Sequence, residues 1–257
     1  WIARTCGAST RIGFKGHKGF RNKRLYNMTV DVAANLHQID RNLDMAKAFG
    51  CRRLFRNPEI FLTGDELERA RAMVTDAGEK YVLLHPGARR WYKSWPLEYF
   101  AALGDEIIGM GLGVVIDGGP DDVESAAKIE GLMKERPVNL AGKTTIRDLA
   151  AITKGAAIFV GNDSAPMHIS YAVGTPTIAL FGPTDWKTWH PLGEKHMVFV
   201  KDVECSPCGH TSDCDKGEEN CMRLITVSEV RQGVEMMLVE KEHSESIEGE
   251  PAEQGKG

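Results

Sequence analysis

Residues 157–181 read AIFVGNDSAPMHISYAVGTPTIALF. Two short apolar runs, at 157–160 and 177–181, flank a Gly-Asn-Asp-Ser turn and a short helical stretch that stops at Gly174, a residue type common just past helix ends because it tolerates positive φ. Strand, turn, helix and strand in this order describe a crossover between parallel strands. Working outward, runs at 81–84, 114–116, 138–140 and 197–200 repeat the pattern, with amphipathic stretches between them. Five of the six runs are too short and too apolar to be half-exposed hairpin strands, which predicts a parallel sheet covered on both faces. Leu97, Phe100, Ala101, Ile107 and Ile108 share one helical face after Pro96, and Thr145 with Asp148 gives a capping-box start to another helix. The expected fold class is α/β, a doubly wound parallel sheet. Such sheets bind ligands at the carboxyl ends of their strands, so the loops after Leu84, Ile116, Leu140, Val160 and Phe181 are where function is expected.

Upstream, residues 10–14 (TRIGF) read as one more strand, and residues 30–49 as a long helix carrying Val32, Leu36, Ile39, Leu43 and Ala46 on one face. They look like the last pieces of a second α/β unit. Asn57-Pro58 and Gly64-Asp65 mark residues 57–65 as a linker, after which Asp65 is expected to cap a helix running to about residue 76. The expected organisation is an incomplete unit at 1–60, a linker and helix at 61–79, a ligand-binding domain at 80–239 and an acidic tail at 240–257. That tail (EKEHSESIEGEPAEQGKG) has six Glu and a single Ile and is expected to be disordered.

A chain of 257 residues with 42% hydrophobic and 26% charged residues is an ordinary globular composition, which excludes collagen-like, fibrous and wholly disordered classes. No window approaches the roughly 18 apolar residues of a membrane span, and no basic and then apolar leader opens the sequence, so a cytoplasmic location is expected. The chain starts at Trp1 in mid-pattern, which reads as a fragment. The net charge of −4 conceals an asymmetry, because residues 1–57 hold twelve Lys and Arg against three Asp. Arg11, Lys15, Lys18, Arg21, Lys23 and Arg24 form a basic run that attracts phosphates, anionic surfaces or nucleic acid, or is a solvated loop and nothing more.

The loop after the run at 81–84 is His85-Pro86-Gly87-Ala88-Arg89-Arg90-Trp91-Tyr92-Lys93-Ser94-Trp95-Pro96. Small residues offering backbone amides beside three cations suit a phosphate site, while a surface loop whose Trp91 and Trp95 pack on the sheet is the plainer alternative. After residue 160, Asp163 and Ser164 stand where an N-cap belongs, ahead of the amides of Ala165, Met167 and His168. A helix start there would hold a phosphate or carboxylate; alternatively Asp163 merely caps and His168 is a satisfied core histidine. In Gly118-Gly119-Pro120-Asp121-Asp122, an acid just past a strand end can accept ribose hydroxyls or serve as a cap. Gly109-Met-Gly111-Leu-Gly113 precedes its strand instead of following one and is no dinucleotide fingerprint. Cys205, Cys208, Cys214 and Cys221 could close a tetrahedral zinc site, but only the first pair has knuckle spacing, and reduced thiols or a loop-stapling disulfide are favoured over zinc.

The runs LLHPGARRWYKSWPLEYFAAL, VVIDGGPDD, LAGKTTIRDLAAI and FVGNDSAPMHISYAVGTPTIALFGPTDW, with the cysteine loop ending CMRLI, closely resemble the C-terminal half of glycosyltransferase family 9, the ADP-heptose:lipopolysaccharide heptosyltransferases. RIGF and His37-Gln-Ile-Asp40-Arg41 look like the close of the family's N-terminal domain. The resemblance implies a GT-B fold of two Rossmann-like domains, with an ADP-activated sugar held mainly by the C-terminal one. It implies that Lys93 contacts the donor diphosphate beside the amides of Gly87 and Ala88. Asp163, Ser164 and Ala165 match the family's Asp-[Ser/Thr]-Gly turn, with alanine in place of glycine, and His168 its nearby histidine; Lys93 and Asp163 are the catalytic candidates. Asp122 falls near the ribose-binding acid, and Gly142 to Thr144 near the adenine. The resemblance further implies heptosyl transfer without a required cofactor, a phosphorylated lipid-linked glycan as acceptor, peripheral contact with the inner membrane face, and no nucleic acid. The family's opening strand, glycine-rich turn and catalytic base are expected upstream of Trp1. Another GT-B nucleotide-sugar enzyme such as an epimerase, or a non-catalytic zinc-knuckle nucleic-acid binder, is the alternative.

Overall fold

The structure is a computed structural model that describes residues 5–15, 25–33, 35–208 and 214–248. The chain divides into two compact units, one formed by Trp1–Pro58 with Trp186–His190, the other by Glu59–Asp185 with Pro191–Gly257.

The larger unit is built on six strands: β3 (Tyr81–His85), β4 (Gly113–Ile116), β5 (Val138–Asn139), β6 (Ile158–Asn162), β7 (Thr177–Phe181) and β8 (His196–Val200), in the order β5-β4-β3-β6-β7-β8. Every neighbouring pair is parallel. All residues of β3, β6 and β7 are buried, which is why these runs carry no polar alternation. The strand order reverses between β3 and β6, so the loops leaving these two strands diverge and open a crevice at their carboxyl ends.

The helices are α2 (Gly64–Met73), α3 (Leu97–Gly109), α4 (Val123–Leu132), α5 (Ile146–Gly155), α6 (Ala165–Ala172) and α8 (Val227–Glu248). Helix α3 starts after Pro96 and buries Phe100, Ala101, Leu103 and Ile107 against the sheet. Helix α5 has the expected capping box: Thr145 Oγ1 accepts from the Asp148 amide at 3.2 Å, and Asp148 Oδ2 accepts from the Thr145 amide at 3.0 Å. Asp148 also receives Arg69 Nε of α2 at 2.7 Å, which ties the two helices together. Helix α6 ends before Gly174, whose φ of +83° only glycine adopts without strain.

Three expectations are corrected here. Helix α2 is capped by Thr63, not Asp65: Thr63 Oγ1 accepts from the Glu66 amide and Glu66 reaches back to the Thr63 amide, whereas Asp65 already lies inside the first turn, past the cap position. That helix stops at Met73, and a single 3-10 turn follows at Thr75–Ala77. Part of the acidic tail is helical, because α8 runs on to Glu248. Val230, Val234 and Met237 anchor its first turns in the core, and extending an anchored helix with good helix formers adds a hydrogen bond per residue without a new nucleation cost. Residues 249–257 lie outside the described set.

In the smaller unit, β1 (Ile12–Phe14) pairs in parallel with β2 (Met28–Val30), and α1 (Gln38–Ala48) follows. The single helix expected over 30–49 is therefore a strand end, a turn and a shorter helix. Val30 is committed to the ladder opposite Phe14, Asn35 has φ of +71°, and His37 caps α1 by accepting the Ile39 amide at 3.2 Å on Nδ1. Its Nε2 lies 2.9 Å from the His190 carbonyl, beyond the short helix α7 (Trp186–Trp189), so Nε2 carries the proton. Arg11 spends its guanidinium on the carbonyls of Leu25 and Ala8, and Lys15 pairs with Asp31 at 2.6 Å. Lys18, Arg21, Lys23 and Arg24 of the basic run lie outside the described residues.

Candidate functional site

At the switch point the loop leaving β3 is held rigidly. Asn162, fully buried at the end of β6, accepts the Trp95 amide on Oδ1 at 2.9 Å and donates Nδ2 to the Pro86 carbonyl at 2.7 Å, clamping both ends of the loop. Trp95 is fully buried, packs edge-on to Phe100 and donates Nε1 to the Ile225 carbonyl at 2.8 Å. The plainer reading of this loop is thus correct for Trp95. Trp91, four residues earlier, is 50% exposed and faces a cleft.

That cleft has a volume of about 610 Å³. Its walls are the β3 loop (His85 to Arg89, Trp91, Ser94), the turn after β4 (Gly119 to Asp122) and the start of α6 at Ser164. Of the residues expected at the site, Gly87, Ala88, Asp122 and Ser164 line it. Lys93 and Asp163 do not line it. They form an ion pair of 2.9 Å, with the Asp163 side chain only 9% exposed, which links the β3 loop to the β6 turn. Ala165, Thr144 and His168 are also outside the lining: Thr144 Oγ1 donates to Asp117, and His168 Nδ1 lies 3.2 Å from the Tyr171 hydroxyl one turn along α6.

Glycine is required where the two walls meet. A Cβ on Gly87 would stand 2.6 Å from Asp122 Oδ2, and one on Gly118 would stand 2.6 Å from Asp122 Cβ. Asp122 Oδ2 accepts the Gly119 amide at 2.8 Å, so this carboxylate shapes its own turn as well as facing the cleft. Ser164 precedes α6 in extended conformation, and its buried Oγ has no hydrogen-bond partner among the described residues.

Two buried titratable groups stand beside the cleft. His85, 5% exposed, is pushed down to about 4 by burial, partly opposed by Asp122, and its Nδ1 has no partner among the described residues. Asp117, at the end of β4 and 1% exposed, is pushed up to about 6 by burial, against hydrogen bonds from Thr144 and the Gly118 backbone. Asn162 and Asp117 belong to no motif that marks them in the sequence as functional groups. The signal for both was position, since each ends or follows an otherwise apolar strand.

The cysteine loop is fastened to the end of β7. Ser206 Oγ donates to the Gly182 carbonyl at 2.7 Å, and the Cys208 amide to the Pro183 carbonyl at 3.1 Å. Cys205, Cys208, Cys214 and Cys221 form no disulfide among the described residues, and burial, reinforced by the neighbouring cysteines, pushes Cys221 up to about 11. Among the described residues no three His, Cys, Asp or Glu side chains stand together as ligands for a metal ion, and residues 209–213 are not described.

The family model of glycosyltransferase family 9 (heptosyltransferase) matches residues 1–217. The chain belongs to this family. Within family 9, the chain is 31% identical over 210 residues to lipopolysaccharide heptosyltransferase 3 of Escherichia coli K12, a match covering 79% of this chain and 60% of that protein. It is 28% identical over 170 residues to lipooligosaccharide heptosyltransferase 2 of Campylobacter jejuni, covering 64% of this chain and 54% of that one. Among solved structures, the family 9 glycosyl transferase of Veillonella parvula superposes with a TM-score of 0.77 at 21% identity, covering 91% of this chain and 69% of that chain. The E. coli ADP-heptose lps heptosyltransferase II gives 0.75 at 22%, covering 92% and 72%. These likenesses place the fold in the GT-B class of family 9. The chain spans about 60% of the length of the E. coli relative. No helix among the described residues is long and apolar enough to cross a membrane.

Proposed function

We propose that this family 9 chain takes part in heptosyl transfer from an ADP-activated sugar to a lipopolysaccharide-core glycan, with the donor nucleotide bound in the cleft at the switch point of the larger unit. The observation that carries this reading is the cleft lined by the Gly87 and Ala88 backbone and by Ser164 at the start of α6, whose hydroxyl has no partner among the described residues, with the Lys93–Asp163 pair tying the two loops together beside it. A helix start with unsatisfied amides attracts phosphate, and a cation at hand stabilises the charge that develops on a diphosphate leaving group. The curated relatives, in which heptosyltransferases recur across several bacteria, support the same reaction class.

In this reading the acceptor hydroxyl attacks the anomeric carbon and ADP departs. Lys93 and Asp163 are the catalytic pair. Gly87, Ala88, Ser164 and Ala165 hold the diphosphate, His168 backs the start of α6, Asp122 faces the ribose, and Thr144 lies on the adenine side. The acceptor is a phosphorylated, lipid-linked glycan, met at the inner face of the membrane. The domain reading goes with it: residues 80–239 bind the donor, and residues 1–60 belong to the acceptor side. Calorimetric titration with ADP, followed by competition with an ADP-heptose, tests the donor reading; a folded sample that binds neither would overturn it.

A further inference from the structure

We propose that Arg89 is a further cation, beside Lys93, that meets the donor diphosphate in this chain, a donor-binding residue that rests on the ADP-donor reading and goes beyond the residues named for it above. Among the described residues that line the cleft, Arg89 is the one Lys or Arg. Lys93, the neighbouring cation, has its Nζ 2.9 Å from a largely buried Asp163 carboxylate, so the pair presents little net charge. Two further carboxylates, Asp121 and Asp122, line the same cleft. A multiply charged diphosphate entering this field meets repulsion unless an uncommitted cation faces it.

Arg89 is placed to be that cation. Its guanidinium makes no ion pair or hydrogen bond among the described residues, whereas Arg69, Arg147 and Arg223 are each committed to a carboxylate. It follows directly on Gly87 and Ala88, in a loop clamped at both ends by Asn162, so its backbone is fixed while its side chain is exposed. Ser164, with its unpartnered hydroxyl, lines the same cleft. A planar guanidinium can take two phosphate oxygens at once, which a lysine cannot. The next residue, Arg90, is also exposed but does not line the cleft, so the loop contains its own control.

The test titrates ADP and inorganic pyrophosphate into the wild-type chain, Arg89→Gln and Arg90→Gln at low and raised NaCl. Arg89→Gln should weaken both ligands about ten-fold or more and flatten the salt dependence of binding, while Arg90→Gln stays within about two-fold of wild type. An Arg89→Gln affinity for ADP within about two-fold of wild type, an equal loss in Arg90→Gln, or a loss for ADP without one for pyrophosphate would overturn the assignment. If the wild-type chain binds neither ligand, the donor reading falls and Arg89 with it. Wild-type binding with an unaffected Arg89→Gln removes only the arginine.

Discussion

Lys93 Nζ and Asp163 Oδ2 stand 2.9 Å apart, although 70 positions separate them in the chain. One comes from the loop after β3 and the other from the turn after β6, the two strands between which the sheet reverses direction. The pair therefore spans the crevice that the topology creates, and its geometry depends on both loops being held.

Lys93→Ala and Asp163→Ala should each weaken ADP binding by about 1 to 3 kcal/mol, the range for losing a charge-assisted hydrogen bond. Because each residue orients the other, the double variant should lose less than the sum of the two. Calorimetry on the full double-mutant cycle checks this; strict additivity would mean that the pair does not act as a unit in binding.

Gly87→Ala should damage stability and the cleft together, since its new Cβ would sit 2.6 Å from Asp122 Oδ2. A loss of about 1 to 3 kcal/mol in denaturant unfolding is expected from forcing the two walls apart. Gly87→Ala combined with Asp122→Ala should regain part of that loss, and the absence of any recovery would show that the clash lies elsewhere.

The folded-state pKa of Asp117 is about 6, above its ordinary value, because burial disfavours the carboxylate. The fold holds the proton more tightly than the unfolded chain does, so this group favours folding at low pH and the contribution is lost as pH rises through about 6. Asp117→Asn keeps an acceptor for Thr144 and should stabilise the protein at pH 8 by about 1 to 3 kcal/mol, with little gain at pH 4. Melting temperatures at the two pH values decide the matter; equal shifts would contradict a buried carboxylate as the cause.

Histidines push the other way. His85 and His196 are each lowered to about 4, chiefly by burial, and His37 is lowered for the same reason while its Nδ1 caps α1. Each is bound neutral, so their contribution is present above the ordinary histidine range and is lost as pH falls through it towards 4. Proton NMR of the imidazoles should find His85 and His196 neutral at pH 5.5. A ring titrating there near 6.5 would show that it is not buried as described.

Cys205→Ser with Cys208→Ser should lower the melting temperature more than it changes ADP affinity, because their loop is fastened at the end of β7 and neither cysteine lines the cleft. Elemental analysis of the purified chain accompanies the test. One bound metal per chain whose removal abolishes ADP binding would reverse this assignment.

Much of the larger unit is legible in the sequence, because its strands are buried on both faces and so appear as uninterrupted apolar runs bounded by glycine and proline. The crossovers, the Thr145–Asp148 capping box and the stop at Gly174 follow from local geometry, which neighbouring residues dictate. The helix expected over 30–49 gives way to a strand end, a turn and a shorter helix for a complementary reason. Val30 gains ladder hydrogen bonds from β1, a partner distant in sequence that helical periodicity cannot reveal.

The sequence by itself determined the strand and helix pattern, the parallel sheet and the two loops that face its carboxyl edge. Tertiary structure alone decided which side chains those loops share. It set Asn162 as the clamp of the β3 loop, tied up Lys93 on Asp163, buried Trp95 while leaving Trp91 at the cleft, and left Arg89 there with no ion pair among the described residues. These outcomes depend on which strands become neighbours and how deeply each side chain is desolvated. Both are properties of the assembled sheet, and residue spacing along a single chain does not encode them.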